Sequence, residues 1–127
     1  MLLSIAAISA GASIGALLRW LLALTFNPVL PALPLGTLAA NLVGGYGIGL
    51  VMGWLGLHPE LPPQLRLFLV TGLLGGLTTF STFSAEVVNH LQDGRLAWAL
   101  AVAGAHLVGS LTMTAFGLAT VKTIVGH

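Results

Sequence analysis

Apolar residues run along this chain in four stretches, each about as long as a helix needs to cross a bilayer, separated by short segments rich in proline and polar residues. A hydrocarbon core of about 30 Å takes about 20 helical residues to span. The first stretch, about 2–25, stops at Asn27 and Pro28 in a linker that also holds Pro31 and Pro34. The second, about 35–57, ends at His58, Pro59, Glu60, Pro62 and Pro63. The third, about 64–91, is closed by the turn Gln92, Asp93, Gly94, Arg95, and the fourth covers about 96–125. The pattern predicts an all-α membrane protein, one four-helix domain over 1–127, with no soluble domain beside it.

The third stretch is longer than a straight crossing needs, and its middle reads Gly75, Gly76, Leu77, Thr78, Thr79, Phe80, Ser81, Thr82, Phe83, Ser84. Adjacent glycines weaken a helix by about 1 kcal/mol each relative to alanine, and Thr and Ser hydroxyls satisfy backbone groups that a break sets free. A break near 75–80 is therefore expected. Such discontinuities inside membranes form ion sites, because loose carbonyls coordinate cations and free N–H groups attract anions. The alternative is an intact helix whose hydroxyls bond back to their own carbonyls. Elsewhere Gly11/Gly15, Gly45/Gly49/Gly53 and Gly72/Gly76 recur every four residues, the spacing that lets helix backbones approach closely.

Composition sets the solvent. The chain is 57% hydrophobic and 6% charged, with a mean hydropathy of +1.03, whereas about a quarter of a soluble domain is charged. The absence of cysteine removes disulfides and thiolate chemistry, and a net charge of +1 excludes a nucleic-acid surface. No Ser/His/Asp arrangement, paired carboxylates or metal-ligand cluster points to an enzyme. No Lys or Arg precedes the first apolar run, so it reads as a retained helix rather than a signal peptide.

Charge also bears on orientation, which follows the Lys and Arg bias between the two sides. With four spans, Arg66 and Lys122 fall on the side of the amino terminus and Arg19 and Arg95 on the other. Two against two gives no reason for a single orientation, so dual topology is expected. Four short helices enclose little volume for an aqueous path. Two copies inserted in opposite senses would pair around an axis in the membrane plane, as an antiparallel homodimer.

Polar side chains are costly in lipid, and each has two readings. Asn41, with Thr37 one turn before it, either pairs with a neighbouring helix or serves a solute. His106, Ser110 and Thr114 draw a stripe along one face of the fourth helix, which is either interhelical glue or a row of donors for something that needs hydrogen bonds. His106 has no second ligand one turn away and does not read as a metal site. Glu86 is either part of an ion path or hydrated near the interface, and Arg19 either snorkels or belongs to an anion-attracting vestibule. Phe80 and Phe83, three apart, project together; they pack, or turn their positive ring edges toward an anion.

The run Gly75, Gly76, Leu77, Thr78, Thr79, Phe80, Ser81, Thr82, Phe83 resembles the signature of the Fluc fluoride channel family, also called CrcB. Gly15, Ala16, Leu17, Leu18, Arg19 and Gly36, Thr37, Leu38, Ala39, Ala40, Asn41, Leu42, Val43, Gly44 resemble its other two signatures, so the likeness covers essentially the whole chain. It implies a passive fluoride-selective channel of the bacterial inner (plasma) membrane, built as an antiparallel dimer with two pores, that lowers fluoride toxicity. It also implies that Phe80 and Phe83 line the fluoride path, with Asn41 and the hydroxyls of Thr37, Ser81, Thr82, Ser110 and Thr114 as donors and His106 beside them. A structural sodium ion at the dimer centre is implied as well, held by carbonyls matching Gly75 and Thr78. Val102 and His106 depart from the tyrosine and serine that some members carry there. The rival readings are a proton-coupled small-solute exporter, which needs a carboxylate deep in the first helix, and a non-transporting scaffold. The first helix has no Asp or Glu.

Overall fold

Proline and its neighbours set the helix ends. The structure, a computed structural model, describes residues 1–126. The first helix, Leu2–Phe26, passes into a 3₁₀ turn at Asn27–Val29, where Pro28 has no N–H to continue the ladder. Pro34 precedes the second helix, Leu35–Gly56. Its start is capped from the linker: the Thr37 N–H donates to Asn27 Oδ1 at 3.0 Å, and Asn27 Nδ2 donates to Thr37 Oγ1 at 3.3 Å. The fourth helix is Leu96–Val125 and closes at Gly126, whose φ of 83° is the left-handed geometry that suits glycine.

The third span is compound. A short α-helical turn, Pro63–Arg66, widens into a π-helix over Leu67–Leu74 and tightens again at Gly75–Leu77. Thr78 is extended, with φ −88° and ψ 157°, and a new helix runs from Ser81 to Gln92. Among the described residues, four helical spans are long and apolar enough to cross a membrane. The second, with 22 residues, is roughly 33 Å long at 1.5 Å per residue, matching a hydrocarbon core. Large apolar side chains such as Leu111, Val108 and Leu100 point outward, as they do when lipid is the solvent.

The helices associate in two parallel pairs, first with third and second with fourth, and glycines set both contacts. A Cβ on Gly11 would lie 2.7 Å from the Leu73 nitrogen, and one on Gly76 would lie 2.6 Å from the Ala12 carbonyl oxygen. A Cβ on Gly45 would lie 2.9 Å from the Ser110 oxygen, and one on Gly49 2.9 Å from Gly117 Cα. Lipid gives no hydrophobic drive for association, so backbone proximity and van der Waals contact carry it. The register aligns Asn41, one turn before Gly45, with His106, one turn before Ser110.

Candidate functional site

The site forms where the third span leaves helical geometry beside the second and fourth helices. Asn41, 6% exposed, grips the non-helical segment at one residue, across two successive peptide units: its Oδ1 accepts the Thr79 N–H at 2.8 Å, and its Nδ2 donates to the Thr79 carbonyl at 2.9 Å. The second Nδ2 hydrogen goes to His106 Nδ1, at 2.8 Å. Both donors of the amide are thus directed within the chain.

The Thr79 hydroxyl then starts the next helix. It accepts the Thr82 N–H at 3.1 Å, donates to Thr82 Oγ1 at 3.1 Å, and lies 3.4 Å from Ser81 Oγ. Thr78 turns the other way, donating its hydroxyl to the Leu74 carbonyl at 2.8 Å. Two carbonyls consequently lose their helical partners. The N–H four residues beyond Gly75 belongs to Thr79 and goes to Asn41, and the N–H four beyond Thr78 belongs to Thr82 and goes to the Thr79 hydroxyl. A third carbonyl, Gly76, accepts from Arg19 Nε at 3.0 Å.

Rings cover one side of this knot. Phe80 and Phe83 meet edge to face with centroids 4.6 Å apart, and Phe83 stacks on the His106 imidazole at 4.7 Å with 8° between planes. Phe83 is buried, while Phe80 is 69% exposed. A cavity of about 400 Å³, open on one side, lies against them, lined also by Asn41, Thr78, Ser110 and Gly75. A second cavity of about 340 Å³ lies near the end of the third span, among Pro34, Glu86, Asn89, His90 and Arg95. Glu86 joins the two regions: it lines the second, and its Oε1 is 3.8 Å from Nε2 of His106, which lines the first. Neither of those two atoms, both buried, has a hydrogen-bond partner among the described residues.

Several residues expected in a solute path sit to one side of the cavity. Thr37 is tied to Asn27, and the Thr114 hydroxyl bonds the carbonyls of Gly45 and Ser110, each at 3.0 Å. Ser81 and Thr82 flank the first turn of the new helix and do not line the cavity. Arg19 faces neither cavity; it takes up a carbonyl at the end of the helical run. Thr79, whose backbone N–H and C=O are the centre of the network, is not singled out by sequence reasoning, because only the fold brings it to Asn41. The Arg19 bond predicts that Arg19→Leu will cost on the order of 1 to 2 kcal/mol, the scale of a half-buried charged hydrogen bond. Thermal unfolding in detergent checks this, and an unchanged midpoint would return Arg19 to the membrane interface.

Four apolar spans, the third of them interrupted, with an aromatic and polar cavity at the interruption, define a small multi-pass membrane protein of the transport class. The chain belongs to the CrcB family: the model of the CrcB-like, camphor-resistance family matches residues 6–118. It is 56% identical over 124 residues to a protein of Tolumonas auensis named fluoride-specific ion channel FluC, covering 98% of both chains. It is 57% identical to a Burkholderia cenocepacia protein of that name, over 96% of this chain and 95% of the other. A third so named, from Paraburkholderia phymatum, is 51% identical over 98% of both.

Proposed function

We propose that this chain is the subunit of a fluoride-selective channel in a bacterial inner membrane, letting fluoride leave the cytoplasm passively and so lowering its toxicity. The observation that carries the reading is identity of 51 to 57%, over at least 96% of this chain, to relatives named for that activity. The cavity suits it. Fluoride is small and strongly hydrated, so its path has to replace water with close-set donors while remaining too narrow for larger halides. Ser110 offers a hydroxyl there, Phe80 and Phe83 offer ring edges, and no Lys or Arg lines the cavity to hold an anion too tightly.

A single chain leaves this path unwalled, since the cavity is open and Phe80 is largely exposed. A second copy inserted in the opposite sense supplies the wall, and the even division of Arg19 and Arg95 against Arg66 and Lys122 supports dual topology. The dimer then has two equivalent paths. At its centre we place a structural sodium ion. The Gly75 and Thr78 carbonyls, whose helical N–H partners are diverted to Asn41 and to Thr79, are the oxygen ligands a hard cation takes. Among the described residues no group of three or more His, Cys, Asp or Glu forms a rival metal site. Sodium would offset the negative charge of those helix-end carbonyls.

Purified protein in liposomes loaded with fluoride or chloride, with no proton gradient, tests the function. Fluoride is expected to leave rapidly while chloride stays. Equal loss of both ions would mean a non-selective pore, and a requirement for a proton gradient would mean a coupled exporter.

A further inference from the structure

His106 sits in the stripe that sequence reasoning offers as a row of donors, yet its surroundings give it another task. It is 1% exposed and stacked on Phe83, with Nδ1 hydrogen-bonded to Asn41 and Nε2 facing Glu86 Oε1 at 3.8 Å. The protonation of those nitrogens follows from Asn41. Turning the Asn41 amide over would set its oxygen against the Thr79 carbonyl and its NH₂ against the Thr79 N–H, so the orientation with Oδ1 on the Thr79 N–H is fixed. Nδ2 therefore faces His106, and the atom it meets at 2.8 Å, Nδ1, has to be an acceptor. The ring proton is then on Nε2, which faces Glu86 Oε1 at 3.8 Å, where a carboxylate favours a donor.

We infer that His106 is a positioning residue: its neutral imidazole, with the proton on Nε2, holds the second N–H of Asn41 and so locks Asn41 onto the backbone N–H and C=O of Thr79. The chain of contacts runs Glu86, His106, Asn41, Thr79, and it ends at the residue next to Phe80. Two consequences follow. Asn41 orients the non-helical segment and does not itself give a hydrogen to a passing anion. The stack on Phe83 ties the same ring to the second aromatic, so one imidazole sets the positions of both Phe80 and Phe83.

The effect on flux rests on the fluoride reading, whereas the hydrogen-bonded state of the ring does not, and the two are measured separately. Protein labelled with ¹⁵N-histidine in lipid nanodiscs, studied by NMR at neutral pH, reports the tautomer. The signal that vanishes in His106→Asn is that of His106, and it is expected to show a protonated Nε2 and an unprotonated, accepting Nδ1. A proton on Nδ1, or an imidazolium, would overturn the inference without any reference to fluoride. Efflux from liposomes supplies the second measurement. His106→Leu removes the acceptor and is expected to slow fluoride at least about tenfold, the scale of one buried donor left unsatisfied. His106→Asn, whose side-chain oxygen occupies nearly the place of Nδ1, is expected to recover most of the rate. Equal impairment of the two variants, or a full rate in His106→Leu, would also overturn it. A wild-type protein that carries no fluoride would defeat the channel reading and leave the tautomer result standing.

Discussion

Phe80→Ile is expected to leave the protein folded and to slow fluoride efflux by about tenfold. The reasoning starts from exposure. Phe80 is 69% exposed in the chain, so its replacement by another apolar side chain removes little from the core of the subunit and should leave each subunit folded in detergent. What is lost is the ring edge, whose partial positive charge is worth about 0.5 to 1.5 kcal/mol in aromatic contacts, and a barrier raised by about 1.4 kcal/mol is a tenfold slower rate. Isoleucine keeps bulk and hydrophobicity, so a slower rate cannot come from an opened gap. Phe83→Ile should slow efflux as well, but with a stability cost, because Phe83 is 6% exposed and stacked on His106. Fluoride-electrode traces from matched proteoliposomes decide the point. Wild-type rates in both variants would make the rings packing elements and move the path elsewhere.

The contrast between these rings and the neighbouring network shows where sequence reasoning is strong. Helix ends were legible because Pro28, Pro34, Pro59 and Pro63 stop or start helices locally; the first helix ends at Phe26 and the second at Gly56, within one residue of expectation. The pairing of Phe80 with Phe83 is equally local, a matter of three-residue spacing on one face. The π-helix over Leu67–Leu74 was not legible, since LFLVTGLL has the composition of any buried helix and nothing in it announces wider winding. Arg19 admitted a snorkelling reading and a vestibule reading, and the structure gives it the Gly76 carbonyl. That partner follows only once Gly15 is seated against Gly76 and Leu77, which places the next turn of the first helix beside the end of the helical run.

The Asn41 network lies between these cases. Asn41 and Gly45 are one turn apart, as are His106 and Ser110, so close packing of Gly45 on Ser110 brings the two polar side chains level. The spacing was visible, but the pairing of the two helices was not, because small-residue spacing says that a helix approaches another without saying which. The roles of Thr37 and Thr114 were undecided for the same reason. A hydroxyl on a membrane helix is equally suited to a carbonyl next door and to a solute, and only the three-dimensional register reveals the carbonyls of Gly45 and Ser110 within reach of Thr114.

That dependence on glycine register leads to a large stability effect from a single added carbon. Gly15→Ala should destabilise the protein by about 3 kcal/mol or more, since overpacking a tight contact costs 1 to 3 kcal/mol and backbone atoms here have no rotamer by which to move aside. A Cβ at Gly15 would lie 2.7 Å from the Leu77 nitrogen and would overlap the Leu73 carbonyl oxygen outright. The first helix would have to withdraw from the third span. Arg19, one turn further along, would withdraw with it, leaving the Gly76 carbonyl without its donor at the point where helical geometry ends. The same substitution at Gly56, where a Cβ would have nothing within 4 Å among the described residues, should instead be neutral or slightly stabilising, because alanine is the better helix former. Unfolding of the two variants side by side in detergent separates contact from propensity. Equal midpoints would mean that the first helix and the third span are not held together by this close approach, and that Arg19 reaches the Gly76 carbonyl for some other reason.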